Sequence, residues 1–440
     1  MMPIPFRNAA LAIAIIAMSI SRANGQITVP GANGSDGAFS PVSNTTINLA
    51  LSPNGAFDAA NPDPATPLTG VYDAAKWAVV FRYTNVNIPA GVTVNFENHP
   101  KGAPVVWLVS GSVTIAGTIN INGSAAVGAS VVRSIPGPGG FAGGARGLLP
   151  NIDGTAGSGP GGASYRADTN DGAGSGGGFG LPGSCGWPSC AATAAPGIDY
   201  GNLRILPLIG GSGGGAGRSS FVNVSNAGAG GGAILMAAAN TITITGQITA
   251  NGGDGSVAAG RGGGAGSGGG IRLVANQINS TGSLRAVGGS AVSNFGDSGG
   301  AGAVGRIRAE GNNVSISDST PSFSAGLPGA TATIWPPASA PRVTITQVHT
   351  QAAPADPKAG YDFPADVAVT NPNVMAVRLQ CANVPIDGSA DVYVRVVPNK
   401  GEDFIVEAVF VSGTLASSIW EAQTQLPDGF SVLQARAILP

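Results

Sequence analysis

The chain is poor in the residues on which catalysis and metal binding usually depend. Its 440 residues include only three cysteines and two histidines, and His99 and His349 are far apart in the sequence. Histidine triads and His-rich metal sites need several such residues close together, so the composition argues against both. We expect no cofactor. The alternative is a Ca²⁺ loop at residues 168–172, which lacks the acid spacing and distal Glu of known calcium loops.

Charge and long apolar runs are also scarce. Only 10% of the residues are charged and the formal net charge is −2, so no basic surface for nucleic acid is expected. The longest apolar run, residues 9–20, is too short to span a bilayer comfortably and follows Arg7. We interpret residues 1–25 as a secretory signal; an uncleaved anchor is the alternative. The mature chain would then be secreted or at the cell surface, without a transmembrane segment.

Two of the three cysteines are close in sequence. Cys185 and Cys190 are five residues apart, and in an exported chain a local disulfide between them is expected. Cys381 is left over, and its apolar neighbours favour a buried thiol over a nucleophile.

Glycine is the abundant residue. The chain has 71 glycines, of which 53 lie between residues 123 and 305, without a persistent Gly-X-Y period. We favour long flexible loops that leave a coiled core. The alternative is that runs such as 211–217 and 262–270 pack as extended strands against one another, because only glycine allows backbones to approach so closely.

A β-rich unit recurs every 36 residues in the second half of the chain. Apolar and Asn positions recur together, which indicates stacked units that share one core. The recurring positions are Leu235/Ile271/Ile307, Ile242/Ile278/Val314 and Asn240/Asn276/Asn312. An upstream copy matches the first unit at an offset of 129 residues, for example Val106 with Leu235 and Ile115 with Ile244.

Asparagines stacked at one position can pass amide hydrogen bonds from unit to unit, so Asn240, Asn276 and Asn312 are expected to form a ladder. With this feature the chain resembles right-handed parallel β-helix proteins. Residues 105–109 followed by 113–115 and 117–119 also resemble a group of glycine-rich exported bacterial proteins with β-helix-like repeats and a terminal sandwich. That resemblance implies fold and export only, because no activity is assigned to the group.

The expected fold class is all-β, with a parallel β-helix followed by a smaller immunoglobulin- or fibronectin-like sandwich. The boundaries follow from composition. After the signal come an irregular lead-in (26–75), the glycine-rich β-helix (76–335, with a long glycine-rich insertion at 124–230), a proline linker (336–341) and the sandwich (342–440).

The acids of the coil are scattered and none recurs with the 36-residue period, which argues against a catalytic carboxylate pair. The leading hypothesis is a structural or adhesive protein without catalytic activity. The alternative is a protein that binds or degrades polysaccharide, for which Asp153, Asp168 and Asp199 would have to meet in space. A third is a secreted passenger recognised through residues 342–440.

Arg272 and Arg308 occupy the same position in successive units. Two stacked arginines would bind an acidic sugar or a surface polymer, so they are the candidate ligand-binding residues; a solvated face is the alternative. The expected partners are extracellular polysaccharide or cell-surface components.

Overall fold

The computed structural model describes residues 25–56, 68–128, 130–146, 154–165, 172–188, 194–218, 224–258, 261–293, 298–358, 360–361, 364–369 and 374–440. The predicted signal lies almost entirely outside the described residues. Within them the only helix is one 3₁₀ turn, Leu49–Leu51, and the remaining regular structure is β-strand. The chain is all-β, as predicted.

The strands are numbered in chain order. They are β1 (Thr45–Asn48), β2 (Val71–Asp73), β3 (Ala78–Tyr83), β4 (Val86–Ile88), β5 (Thr93–Glu97), β6 (Val105–Val109), β7 (Val113–Ile115), β8 (Thr118–Asn120), β9 (Gly217–Arg218), β10 (Val224–Ser225), β11 (Ala233–Ile244), β12 (Gln247–Thr249), β13 (Val257–Ala258), β14 (Arg261–Gly262), β15 (Gly270–Arg285), β16 (Arg306–Glu310), β17 (Asn313–Thr320), β18 (Ser324–Gly326), β19 (Arg342–Val348), β20 (Gln351–Ala352), β21 (Met375–Ala382), β22 (Asp391–Pro398), β23 (Phe404–Thr414), β24 (Ser417–Thr424) and β25 (Ser431–Ile438).

Fourteen strands form one sheet, which is parallel except at β2. Twelve of them fall into three ranks, each a row of strands paired side by side, and β2 and β18 pair with β3 and β16 of rank A. Rank A contains β3, β6, the first part of β11, the first part of β15, and β16. Rank B contains β4, β7, the second part of β11, the middle of β15, and the first part of β17. Rank C contains β1, β5, β8, β12, the end of β15, and the end of β17. All three ranks contribute to one buried apolar cluster, for example through Val105, Ile242 and Ile248.

The 129-residue offset is confirmed in every rank. Val106 pairs with Leu235, Val113 with Ile242, and residue 119 with residue 248. Strands 129 residues apart are therefore direct neighbours, and the chain between them leaves the stack and returns to it.

The 36-residue spacing is confirmed between β15 and β16 but is wrong by one residue in the first part of β11. Ile234, not Leu235, pairs with Ile271, and the register shifts between Ala238 and Thr241. A one-residue shift reverses the face of each side chain. Leu235 consequently belongs to a second apolar cluster on the outer face of rank A.

This irregularity also limits the asparagine ladder. The Asn312 amide donates to Asn276 Oδ1 over 2.9 Å, as predicted. Asn240 is exposed and takes no part in that side-chain bond, because two residues of β11, Ala239 and Asn240, oppose the single Asn276. The predicted three-residue ladder is thus a pair.

The residues assigned to an irregular lead-in contribute to the core. Strand β1 pairs with β5, and Ile47 and Leu49 are buried in the main cluster. On the outer face of rank A, Ile27 and Val29 cover the second cluster together with residues from 205–208 and 332–334. Strands of rank A are therefore buried on both faces.

The glycine-rich segments pack closely, so the expectation of flexible loops is wrong for their described parts. In residues 263–269 the backbone amides donate in three directions in turn, over 2.7–2.9 Å, and each direction recurs every third residue. The donor–acceptor pairs are Gly263–Ser256, Gly266–Gly253 and Gly269–Ala250, then Gly264–Gly215 and Ser267–Ser212, then Ala265–Gly300 and Gly268–Ala303. A period of three is that of the polyproline II helix.

We name the set of such segments the glycine bundle; its members are residues 137–144, 154–163, 174–180, 210–217, 226–232, 252–256, 262–270 and 299–305. A Cβ on Gly264 would overlap the carbonyl oxygen of Ser175, and one on Gly269 would overlap that of Gly232. The bundle therefore leaves no room for side chains at such positions. Packing of extended glycine strands, the alternative interpretation, is what the structure contains.

Replacing a bundle glycine by alanine should be costly. For Gly264→Ala we expect the free energy of unfolding to fall by about 3 kcal/mol, the upper end of the usual cost of overpacking. The reason is that the new Cβ would overlap the backbone carbonyl oxygen of Ser175, which cannot move aside as a flexible side chain would. Gly360→Ala is the control, since a Cβ there meets nothing within 4 Å. Urea denaturation of both variants measures the difference. Equal stability of the two variants would contradict the packed bundle.

Residues 342–440 form a separate seven-stranded antiparallel sheet in the order β20-β19-β21-β24-β23-β22-β25. The sheet curls, because β19 and β25 lie against each other although they are far apart in this order. Its own apolar cluster includes Val377, Leu379, Val394 and Trp420.

This sheet lies against the glycine bundle. Gly401 N donates to Gly154 O over 3.0 Å, and Asp403 accepts from Tyr165 N and Ser164 Oγ over 3.2 and 3.1 Å. The two parts are thereby joined by backbone and buried polar contacts.

Cys185 is disulfide-bonded, whereas Cys381 is free and buried, as predicted for each. Cys190, the predicted partner of Cys185, lies outside the described residues. Burial raises the pKa of Cys381 to about 11, so this thiol is not a poised nucleophile.

Candidate binding surface

The outward face of rank C carries polar side chains in two rows, which are uncharged except for the ion-paired Arg285 and Asp318. Side chains alternate between the two faces of a strand, so the apolar residues of β5, β8 and β12 point into the core and the residues between them point outward. The first row is Thr93, Thr118, Gln247, Ser283 and Asp318. The second row is Thr46, Asn95, Asn120, Thr249, Arg285 and Thr320, of which Thr249 is buried beneath its neighbours. We call these two sets the polar rows.

A groove of about 590 Å³ lies where β5 and β8 end. One wall is made by polar residues at the strand ends, including Asn95, Asn120 and Asn122, and the opposite wall by residues 135–138 of the chain entering the glycine bundle. The volume falls within the roughly 300–1,000 Å³ range of small-molecule sites.

The amides of the groove are held in place by bonds between neighbouring strands. Asn120 Nδ2 donates to Asn95 Oδ1 over 2.9 Å, and Asn251 N donates to Asn122 Oδ1 over 2.6 Å. Across the groove, Asn98 Nδ2 donates to Pro136 O over 2.7 Å. Each amide still has donor or acceptor capacity, because an Asn side chain offers two donors and an acceptor with two lone pairs.

The groove combines this polar wall with an apolar one and carries little charge. Ile135 is 66% exposed and stands at the rim beside Pro136 and Pro138. Glu97 is the only charged residue among those that line the groove. Such a site suits a neutral ligand with hydroxyl groups on its edge and apolar C–H groups on its face.

Arg272, a predicted ligand-binding residue, is not available to an external ligand. Its side chain is 1% exposed, and its guanidinium binds both carboxylate oxygens of Glu310 over 3.1 and 3.2 Å. Nη2 also donates to Thr333 O over 2.6 Å. Burial lowers the pKa of Arg272, while Glu310 opposes that effect. The pairing with Arg308 in successive strands is as predicted, but the role is structural.

Arg308 shares the same acceptor. Its Nε lies 3.2 Å from Glu310 Oε1, and its Nη1 donates to Ala325 O over 2.6 Å. The segment that follows β17 folds over both arginines, which the repeat alone did not indicate.

The Arg272–Glu310 pair is expected to matter far more for stability than an exposed pair. Glu310→Gln leaves a buried guanidinium without its counter-charge, so we expect a loss of about 3–5 kcal/mol in the free energy of unfolding. Asp318→Asn breaks the matched but exposed pair of Arg285 and Asp318 and should change stability little. Thermal unfolding compares them; a larger effect of Asp318→Asn would be the contrary result.

The acidic cluster that the polysaccharide alternative requires falls mostly outside the described residues. Asp153 and Asp168 lie outside them, as does almost all of the candidate Ca²⁺ loop, while Asp199 is exposed. The described part of the chain contains no group of three or more His, Cys, Asp or Glu side chains placed to hold a metal ion.

A polar cluster of residues from both halves of the chain forms beside β2. Tyr72 Oη donates to Asp356 Oδ1 over 2.6 Å, and Lys101 Nζ lies 3.5 Å from Asp356 Oδ2. The Tyr72 ring stacks on His99 with the ring centroids 4.0 Å apart. Tyr72 and His99 are buried, so this cluster holds residue 356 to the parallel sheet rather than presenting a reactive site.

His99 should titrate below its ordinary value of 6.5. Burial lowers its pKa, Asp356 raises it and Lys101 lowers it. Between the folded-state pKa and 6.5 the unfolded chain binds more protons, so stability should fall as the pH is lowered through that window. Asp356→Asn removes the carboxylate that raises the pKa of His99 and should therefore lower that pKa further. NMR titration of the His99 ring, assigned with His349→Gln, tests this; a pKa at or above 6.5 would contradict it.

Comparisons of the chain with protein-family models, curated proteins and solved structures gave no match. No helix in the described ranges has the length and apolar character needed to cross a membrane.

The groove is the feature that sequence reasoning missed. Its signal was present: Asn120 and Thr249 are 129 residues apart, the same offset as the apolar positions, and each directly follows a core isoleucine. Outward polar residues at matched offsets therefore locate the polar rows once the register is known.

Proposed function

We propose that the protein is a secreted or cell-surface structural and adhesive protein that binds neutral polysaccharide along the polar rows and in the groove at their end. The observation that carries this proposal is the groove itself, with amides aligned on successive strands and an apolar wall opposite. Hydroxyl groups of a sugar both donate and accept hydrogen bonds, and fixed amides match that demand.

The direction of the polar rows supports an extended ligand. Neighbouring strands lie about 4.7–4.9 Å apart, so a row offers a polar side chain at each such step across the sheet. A chain molecule laid across the strands would meet equivalent groups repeatedly. Many weak contacts of this kind give adhesion through the summed effect of linked binding events.

For the fold, we propose that ranks A, B and C are the three faces of a right-handed parallel β-helix and that residues 342–440 form an immunoglobulin-like sandwich. The shared core of the three ranks supports the first, and the curled antiparallel sheet with its own cluster supports the second. Export of the chain through residues 1–25 is part of the same proposal.

Substitution in the groove should weaken glycan binding selectively. Asn120→Ala removes one neutral hydrogen-bonding side chain, worth about 0.5–1.5 kcal/mol, so binding to a neutral polysaccharide should weaken about two- to tenfold. Asn279→Ala, on the outward face of rank B, is the control and should bind normally. A glycan array followed by affinity measurement with the mature protein tests this.

Two outcomes would contradict the proposal. Equal binding by both variants and the unmodified protein would exclude the groove. Release of reducing or unsaturated sugar ends, with or without Ca²⁺, would show a degrading enzyme instead of an adhesive protein.

A further inference from the structure

A second, smaller cleft lies where the glycine bundle meets the outer face of β22 and β25. It has a volume of about 100 Å³ and is lined by Phe141 and Pro160 of the bundle and by Arg395, Gln434, Ala435 and Arg436 of the sheet. Since a water molecule occupies roughly 30 Å³ in the liquid, the cleft holds a group of three or four heavy atoms.

Arg436 brings an uncompensated positive charge to this cleft. It pairs across the strands with Tyr393, and its guanidinium lies 5.6 Å from the centre of that ring. In the described part of the chain no carboxylate pairs with Arg436. Burial and the neighbouring Arg395 lower its pKa, and only Tyr393 opposes them.

Arg395 lines the same cleft but already has a counter-charge. Its Nε donates to Asp403 Oδ2 over 2.8 Å, and its Nη1 donates to Gly159 O over 3.1 Å. Arg395 is 8% exposed. Its Nη2 lies 2.7 Å from the same oxygen, Asp403 Oδ2, so Arg395 and Asp403 form a buried ion pair.

Asp403 cannot neutralise both arginines. Its side chain is 3% exposed, and its oxygens also accept from Ser164 Oγ and Tyr165 N. Among the residues that line the cleft and their ion-pair partners, two guanidinium groups and one carboxylate leave one positive charge, while Asp391 and Glu407 lie near the adjoining Tyr393. A monoanion balances that charge, and a planar carboxylate matches the paired N–H groups of a guanidinium.

From this geometry we propose that Arg436, with Arg395, binds the carboxylate of a uronate sugar unit. The carboxylate enters the cleft, which is too small for a sugar ring, and the ring lies at the mouth beside Tyr393. An aromatic side chain offers the apolar surface on which the C–H face of a sugar rests. This site is independent of the groove on rank C, which carries a carboxylate of its own and no cation.

The test uses the full mature chain and monomeric probes at low salt, where exposed charges are least screened. Galacturonate and glucuronate are titrated by NMR beside galactose and acetate. We expect uronates to bind more tightly than either control probe, because only they combine the anion with the ring. Arg436→Gln should weaken uronate binding at least about tenfold, as expected for loss of a charged hydrogen bond.

Two further variants separate charge from structure. Arg378→Gln removes an arginine from β21 of the same sheet, where it pairs with Glu421, and should leave uronate binding unchanged. Arg436→Lys keeps the charge but loses the planar fork and should bind with intermediate affinity. Thermal unfolding of each variant checks the fold.

Three results would overturn the proposal. They are equal binding of galactose and uronate, binding of acetate as tight as that of uronate, and equal loss in the Arg378 and Arg436 variants. Failure of the groove variants to affect neutral glycans would leave this test untouched, since its probes and residues are different.

Discussion

Direct contact between backbones is the constraint on which the middle of this molecule depends. In the glycine bundle, amides and carbonyls of different segments meet where a Cβ would overlap a neighbouring carbonyl oxygen. Glycine loses more conformational freedom on folding than any other residue, so the arrangement is entropically expensive. Dense hydrogen bonding offsets this cost, because buried backbone groups left unpaired would be more costly still. The result is a packed unit built almost without side chains.

This unit connects the other two parts of the chain. Strands β8 and β11 are separated by more than 100 residues, yet β8 lies next to β12 and β7 next to β11. The chain leaves the stack, folds into the bundle and returns in register. The same bundle contacts residues of the C-terminal part through Gly154, and Tyr165, just after a bundle segment, adds a second contact. The groove and the cleft lined by Arg395 and Arg436 both lie at edges of the bundle. Each therefore has one wall that is held by backbone packing.

Sequence reasoning was most reliable where one face of a strand is buried. The 129-residue offset predicted the pairing of β7 with β11 and of β8 with β12, because apolar residues alternate with polar ones in those strands. It was less reliable in the first part of β11, which is apolar on both faces and therefore has no alternation to define which side points inward. The wrong 36-residue match of Leu235 and Asn240 with their counterparts in β15 followed from that ambiguity. The glycine bundle has a period of three in its hydrogen bonds, but a run of glycines carries no side-chain pattern in which that period would show.

The distribution of charge explains why the candidate sites differ in kind. In the described residues, charged side chains in the core or at junctions form ion pairs at Arg272–Glu310, Arg395–Asp403 and Lys101–Asp356. Stacking had placed Arg272 and Arg308 together, but a buried cation needs a counter-charge, and Glu310 with the covering segment supplies it. What remains outward on rank C, apart from the exposed Arg285–Asp318 pair, is amide and hydroxyl. Arg436 differs from these paired side chains, because the nearby carboxylate of Asp403 is already paired with Arg395. In the described residues, the outward face of rank C is therefore mostly uncharged while the cleft keeps a positive charge at Arg436, and our two proposals accordingly concern sugars of different charge.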